Sequence, residues 1–423
     1  MSAASGTTSR RTLIHTAAAA AAWPLASGCT SPDPPSRSKL RLMILGATPQ
    51  LMTHLNAAVL PAFHAATGLR VELQNSDWGS AFQKVTTGAA SNSLADVFMV
   101  GGIWTAALAA KHVMLDLTER LRRWPDTSRF HPAGLSDGAY RGRNYALPVT
   151  MDVRTGVYRQ DLLRAAGITA LPTTWAQFRA AAQRLKARRG MTTPIFWNVD
   201  KSIGLQQTFA QLFLQAGGRY WDSGGKAAFD SEAGHQALGF LVATFHDGLA
   251  DVNQVYTGNG PAPLTSGASA MTLNGWAAQQ NAQSNAPHVA AHIVAGPALA
   301  PHPGARPTPI AWIDKLAIAH NTKNPDGAWQ LLTHLAGARQ LDALARLSGS
   351  LPARSDLEAA PWLTPMARQV LANADHAVSQ PVNPVMMQLG PVVQALLEPA
   401  VRGSVSVADT LKAIDTKVDA LYA

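Results

Sequence analysis

The first predicted domain alternates strand-like and helix-like segments. Residues 40–46 form a short apolar run that ends in glycine, as buried strands often do. Apolar residues then recur at helical spacing over residues 51–66, and Gly68 is placed to end that helix. Residues 69–74 and 95–101 are typical of a second and a third strand. This alternation predicts parallel pairing through right-handed crossovers, and therefore an α/β domain.

Polar and aromatic residues follow two of these predicted strands. Asp77 and Trp78 come after the second strand, and Trp104 follows the third by way of Gly101 and Gly102. Ligands of open α/β sheets bind at the carboxyl ends of the strands. We therefore expect Asp77, Trp78 and Trp104 to line a binding site.

The second half of the chain is mostly helical in pattern. Thr174 and Gln177 have the spacing of a capping box at the start of a helix. Residues 232–246 and 407–421 each carry an apolar stripe at helical spacing.

Residues 289–296 are typical of a strand, which bears on a possible metal site. His288 and His292 are four positions apart. That spacing along a strand is about 13 Å, too far for the two side chains to bind one metal ion. No metal and no cofactor is expected.

Length and charge limit the classes of function. The chain has 423 residues, more than one hydrophobic core normally serves, which predicts two lobes. Its formal net charge is +9, but the Lys and Arg residues are dispersed, so a nucleic-acid partner is not expected. The metalloprotease, P-loop and dinucleotide motifs are absent.

The N-terminus has the pattern of an export signal. Arg10 and Arg11 precede an apolar, alanine-rich run, and the stretch LASGC ends in Cys29, which is the only cysteine. The arginine pair resembles a twin-arginine signal, and LASGC resembles a bacterial lipobox. A membrane-spanning anchor is the alternative, but the run is shorter than the roughly 20 residues that spanning requires. We expect residues 1–28 to be a signal peptide, Cys29 to carry lipid, and residues 29–38 to tether the protein to the outer face of the cytoplasmic membrane.

Eight stretches of the remaining chain resemble, in order, the extracellular solute-binding proteins of ABC sugar importers, the cluster that includes maltose-binding proteins. They are ADVFMVGGIW (95–104), YRGRNYALP (140–148), YRQDLL (158–163), AGI with PTTW (166–175), GGRYWD (217–222), GASAM with NGW (267–276), NPDGAW (324–329) and LPAR (351–354). One departure concerns the cleft. Where the family usually has a Gly-Gly pair, this chain has Ala-Trp-Ile-Asp-Lys at 311–315.

The resemblance implies a two-lobed periplasmic-binding-protein fold of type II with a hinge between the lobes. It places an N-terminal α/β lobe at residues 39–149 plus 298–348, and a more helical lobe at 150–297 plus 349–423. The crossovers are then expected near 148–152, 294–297 and 348–351. The implied function is capture of a carbohydrate without catalysis, by a monomer that works with an ABC permease and a separate ATPase subunit.

A sugar site needs aromatic planes together with carboxylates and amides. Besides Asp77, Trp78 and Trp104, we expect the ligand to contact residues that follow predicted strands or the first crossover. They are Asp152, Asn198, Asp200, Asn274, Trp276, Trp312 and Asp314. Trp276 is the foremost stacking candidate. Trp312 with Asp314 could bind the ammonium of an amino sugar, or Asp314 could simply pair with Lys315 or a surface arginine.

Two other functions remain open from the sequence. The ligand could be glycerol 3-phosphate or a glycerophosphodiester, which would need a helix N-terminus or a convergent arginine. A secreted carbohydrate-active enzyme is the lower-ranked alternative, since glycoside hydrolysis requires only two carboxylates.

Overall fold

The computed structural model describes residues 38–188, 190–199, 204–257 and 260–422. The predicted signal peptide, Cys29 and Asp200 lie outside these residues. Within them, no helix is long and apolar enough to cross a membrane.

One mixed sheet of eight strands organises the described chain, and a short two-stranded ribbon lies apart from it. The strands are β1 (Lys39–Leu45), β2 (Arg70–Ser76), β3 (Val97–Val100), β4 (Ala139–Tyr140), β5 (Arg143–Asn144), β6 (Ala146–Arg159), β7 (Met271–Asn274), β8 (Ile293–Ala295), β9 (Ile310–Ile318) and β10 (Leu351–Pro352). The main order is β10-β6-β9-β3-β1-β2, with β7 and β8 also paired to β6, while β4 pairs with β5.

The pairing of the first three strands is parallel, as the sequence predicts. β1 pairs in parallel with both β2 and β3. β9 then runs antiparallel to β3 and to β6. The α/β class is therefore confirmed, with an antiparallel addition that the alternation pattern does not reveal.

Strand β6 belongs to two groups of strands. Residues 146–154 pair with β9, whereas residues 155–159 pair with β7 and β8. The chain passes between these groups a second time between β8 and β9. β10 lies beside residues 150–151 of β6, shortly before this strand changes partners.

Helices cover both groups of strands. They are α1 (Pro49–His54), α2 (Leu60–Thr67), α3 (Trp78–Ala90), α4 (Thr105–Ala110), α5 (Thr118–Arg123), α6 (Pro132–Asp137), α7 (Gln160–Ala165), α8 (Trp175–Lys186), α9 (Gly204–Gln215), α10 (Glu232–His246), α11 (Pro263–Ser266), α12 (Ala277–Asn285), α13 (Pro287–Ala290), α14 (Pro325–Leu335), α15 (Ala338–Ser348), α16 (Pro365–Leu371), α17 (Met386–Val401) and α18 (Val407–Asp419). A π-helical turn, Leu55–Val59, joins α1 to α2, and Gly68 ends α2 in the left-handed conformation with φ 75°.

Two hydrophobic cores fill the space between these layers. The larger core packs around β1, β3, β9 and the first part of β6, and extends to α12 and α16. The second core is formed chiefly by α8, α9, α10, α17 and α18. Ile103, beside Trp104, contacts apolar residues of both cores, so the loop after β3 lies where they meet.

Two local predictions differ from the structure. Only Ile293–Ala295 of the predicted strand 289–296 is extended, because Pro287 starts helix α13 and His288 lies in that helix. In the capping box, Thr174 accepts from the backbone N–H of Gln177 at 3.3 Å, as expected. The Gln177 side chain, however, accepts from the N–H of Thr173 at 2.8 Å instead of that of Thr174.

Candidate ligand-binding cleft

The carboxyl ends of β1, β2 and β3 meet at one edge of the sheet, and β9 and β6 extend past that edge. Because β9 is antiparallel to β3 and pairs Lys315 with Val100, Trp312 and Asp314 lie beyond the last residue of β3. On β6, Asp152 is opposite Trp312 and Thr150 is opposite Asp314. The register thus places these side chains beside the loops that follow the parallel strands.

Trp78 offers an exposed aromatic surface at this edge. Its ring contacts Trp104 edge to face, with centroids 5.9 Å apart, and 43% of the residue is exposed. Gly46 and Gly101 make this position possible, because a Cβ on Gly46 would lie 2.5 Å from the Trp78 indole nitrogen and one on Gly101 would lie 3.0 Å from its ring. Trp78 is therefore supported from behind by backbone, with its remaining surface free for stacking.

The ring of Trp312 is covered by Arg154. The guanidinium carbon lies 4.3 Å from the centroid of the ring. Arg154 Nε donates to Asp152 Oδ2 at 2.9 Å, and another guanidinium nitrogen donates to Gln207 Oε1 at 3.2 Å. A cation of the protein itself thus occupies the position where the sequence suggested the ammonium group of a ligand.

Lys315 forms no pair with Asp314, because neighbouring residues of a strand point to opposite faces. Its fully buried ammonium group forms an ion pair with Asp137 of α6. It also donates to the carbonyl oxygens of Gly102 at 2.9 Å and Ile313 at 3.0 Å. The pairing of Asp314 with Lys315 that the sequence left open is therefore not formed, and Lys315 instead fixes the loop after β3.

Asp314 shares its face of β9 with Trp312. Its carboxylate accepts from Thr150 Oγ1 at 3.3 Å, and burial raises the pKa of Asp314 to about 6. An acceptor that stays partly desolvated suits recognition of a hydroxyl group better than pairing with a mobile surface cation.

The raised pKa of Asp314 gives a testable dependence of stability on pH. An unfolded aspartate titrates near 4, so between about pH 4 and 6 the folded protein binds more protons than the unfolded chain does. The unfolding free energy of the wild type should therefore fall, relative to that of Asp314→Asn, as the pH rises from about 4 to about 6, and the difference should then stay constant. Urea unfolding of both proteins across this pH range measures the difference in unfolding free energy. Parallel curves would contradict the raised pKa.

Asp77 holds Trp78 in place from the preceding position. It caps α3, accepting from the N–H of Ser80 at 2.8 Å and from the Ser80 hydroxyl at 2.5 Å. These hydrogen bonds lower the pKa of Asp77 to about 2. The carboxylate is exposed, but its oxygens are engaged with the helix.

Trp276 lies inside the protein, and Asn198 is half-buried. Trp276 is only 4% exposed, donates its indole N–H to Gln279 Oε1 at 3.3 Å, and packs against Trp362 at 5.5 Å. The side-chain amide of Asn198 makes two hydrogen bonds of 3.1 Å with the backbone of Tyr256. Trp276 therefore presents no free face to the sheet edge, and the amide of Asn198 is engaged with the backbone of Tyr256.

Asn274 lies next to the group formed by Asp152, Arg154 and Trp312. A Cβ on the adjacent Gly275 would be 2.0 Å from Asp152 Oδ1, so the end of β7 directly abuts that carboxylate. Of the predicted site residues, the structure thus brings together Trp78, Asp152, Trp312 and Asp314, with Trp104 buried against Trp78, Asn274 alongside and Asp77 as the cap. The sequence reasoning missed Thr150, Arg154 and Gln207. The spacing Asp152-x-Arg154 is a usable signal, since alternate residues share one face of a strand.

Comparisons with known proteins assign the chain to a family. A model of the bacterial extracellular solute-binding proteins matches residues 47–341. A probable ABC transporter-binding protein of Deinococcus radiodurans is 27% identical over 299 residues, which cover 66% of this chain and 68% of that protein.

Solved structures share the fold. The sugar-binding protein MalE of Xanthomonas citri superposes with a TM-score of 0.79 at 21% identity, covering 90% of this chain and 96% of the other. An ABC transporter solute-binding protein of Thermotoga lettingae, bound with α-D-tagatose, gives a TM-score of 0.78 at 21% identity, covering 91% of this chain and all of the other. The two-lobed α/β fold expected from the sequence is confirmed. With a family match over more than half its length, the chain belongs to the bacterial extracellular solute-binding proteins, which are exported and work with ABC permeases.

Proposed function

We propose that this protein captures a neutral carbohydrate in the cleft and delivers it to the membrane permease of an ABC importer, with ATP hydrolysed by a separate subunit. The observation that carries the proposal is the exposed indole of Trp78 on the same sheet edge as the carboxylates of Asp152 and Asp314. Aromatic planes pack against the C–H faces of sugars, and carboxylates accept from their hydroxyl groups. The sugar-binding and tagatose-bound proteins of the same fold support this ligand class.

The charges in the cleft favour a neutral ligand. Arg154 is already paired with Asp152, so this arginine is not available as the unpaired partner that a phosphate needs. The N-terminus of α3 at the same edge is capped by the carboxylate of Asp77, which disfavours a second anion there. These contacts argue against the glycerol-phosphate alternative. The stacking of Arg154 on Trp312 likewise argues against an ammonium group at that ring.

We propose binding without turnover. A Gly-x-Ser-x-Gly pattern does occur at residues 134–138, but it lies in α6 and not at the strand-to-helix turn of a nucleophile elbow. Within it, Ser136 is exposed and Asp137 is engaged by Lys315. The carboxylate of Asp152 is also engaged, in an ion pair with Arg154.

The proposed mechanism is closure of the two lobes on the sugar, in a protein that acts as a monomer. We place the hinge where β6 changes partners and at the two adjoining passages of the chain. Asp152 and Arg154 lie on this strand, and Gln207 approaches Arg154 from α9 of the second core. Closing of the lobes would therefore shorten the contacts that Asp152, Arg154 and Gln207 already make at the cleft.

A thermal-shift panel of neutral sugars, amino sugars and glycerophosphodiesters tests the proposal. A ligand that binds only the folded state raises the unfolding free energy by about 2.7 kcal/mol at one hundred times its Kd. We expect at least one neutral sugar to raise the melting temperature without being consumed. Stabilisation by a glycerophosphodiester alone, or release of sugar products, would contradict it.

We also propose that the protein is exported as a lipoprotein anchored through Cys29. Supporting this are the arginine pair, the apolar run and the LASGC stretch of the sequence. Replacing Cys29 with alanine should release the protein from the membrane fraction, with sugar affinity unchanged, because the anchor lies outside the binding domain. Fractionation of cells that express the two forms measures this. Retention of the variant in the membrane would refute the lipobox assignment.

A further inference from the structure

A pocket of about 200 Å³ adjoins the cleft at the end of β7. Its walls come from β7, α11, α12 and the segments around Phe196 and Tyr256. Phe196, Leu264, Ala277 and Ala278 provide an apolar lining. Apart from Asn274, its lining residues are not among the contacts of the proposed sugar site.

The polar groups deep in this pocket are already satisfied by the protein. Asn281 accepts from the N–H of Ala262 and donates to the hydroxyl of Tyr256, both at 2.8 Å. The hydroxyl of Thr272 donates to the carbonyl of Phe196 at 2.8 Å. A sugar hydroxyl placed here would therefore lose its hydrogen bonds to water without gaining a partner in the protein. The interior favours an apolar group.

One lining residue differs from the others. The side-chain oxygen of Asn274 accepts from the N–H of Gly275 at 2.8 Å, while its NH₂ group has no hydrogen-bond partner among the residues that the structure describes. Asn274 is half-buried, and its neighbour Gly275 abuts Asp152. A donor thus lies between the apolar pocket and the sugar-binding edge.

We infer that this pocket is a subsite for the acetamido group of an N-acetylated amino sugar. The acetamido methyl group would fill the apolar interior, and Asn274 would donate to the acetamido carbonyl. This inference rests on the proposed function and narrows it to one class of carbohydrate. It agrees with the neutral ligand proposed above, since acetylation removes the charge of an amino sugar.

Three disaccharides that differ only at C2 test the inference by calorimetric titration of the purified full chain. They are cellobiose, chitobiose and N,N′-diacetylchitobiose, with a hydroxyl, an ammonium and an acetamido group respectively. We expect the acetylated sugar to bind at least about tenfold more tightly than cellobiose, the range that one complementary apolar group provides. Chitobiose should bind no better than cellobiose.

Ala277→Leu fills the pocket and should reduce this preference to within about threefold, with cellobiose affinity unchanged. Gln283→Leu adds the same side chain at an exposed position of α12 and should leave the preference intact. If Ala277→Leu does not fold, Asn274→Ala serves in its place and should lower affinity for the acetylated sugar selectively.

Binding of N,N′-diacetylchitobiose that is equal to or weaker than that of cellobiose overturns the inference. An undiminished preference for the acetylated sugar in Ala277→Leu also overturns it. Binding of other neutral sugars such as maltose, with none of the three disaccharides bound, overturns the inference but leaves the proposed function standing. Failure of every neutral carbohydrate to bind would instead refute the proposed function.

Discussion

Replacing Lys315 with methionine should lower the unfolding free energy by about 3–5 kcal/mol, the largest loss of stability expected from one substitution in the cleft. The change leaves the carboxylate of Asp137, which is 3% exposed, without its cation. It also removes the donor to the carbonyl of Gly102, which fixes the turn that leads to Trp104. Urea unfolding measures the loss.

The paired variant Lys315→Met with Asp137→Leu is the control for this prediction. Replacing both members of a buried ion pair by apolar side chains is often neutral or stabilising. We therefore expect the paired variant to regain most of the lost free energy. An equal loss in both variants would show that packing around Lys315, and not the unpaired carboxylate, determines the effect.

Replacing Trp312 with alanine should weaken sugar binding by about 30- to 100-fold, the loss typical of an aromatic residue at the centre of a binding site. The substitution removes a ring at the cleft and also the surface on which Arg154 rests, so Asp152 loses an ordered partner. Because Trp312 is only half-buried, the fall in melting temperature should be modest. Calorimetric titration and thermal unfolding of the same preparation separate the two effects.

Trp276→Ala is the matched control, because it removes the same side chain from a buried position. Trp276 is 4% exposed and belongs to the larger hydrophobic core, so its loss should cost about 3–5 kcal/mol of stability. Its effect on sugar affinity should be smaller than that of Trp312→Ala. The reverse order of affinities would mean that the ligand stacks on Trp276, as the sequence pattern suggested, and that Trp312 with Arg154 does not organise the cleft.

Local patterns in the sequence predict most of the elements that position the cleft. The apolar run 40–46 and the helical spacing up to Gly68 involve only residues close together in the sequence. The strand and the helical segment that they predict both occur. Trp78 and Trp104 follow strands whose parallel pairing the alternation pattern implies. Their convergence at one edge is therefore accessible from sequence alone.

The contacts between distant segments are not accessible in this way. Whether Asp314 pairs with Lys315 depends on which face of β9 each side chain occupies, and on the distant Asp137 and Thr150. The burial of Trp276 depends on Gln279 and Trp362, which no local pattern relates to it. Arg154 covers Trp312 because the register of β6 on β9 brings them together, and that register is a property of the folded sheet.

Calorimetric titration of the protein with the best sugar from the thermal-shift panel shows whether this cleft binds a neutral carbohydrate. We expect one bound carbohydrate per chain, with affinity weakened about 30- to 100-fold in Trp312→Ala and kept in Gln283→Leu. Saturable binding of a phosphodiester in place of any neutral sugar, or sugar binding that Trp312→Ala leaves unchanged, would contradict it.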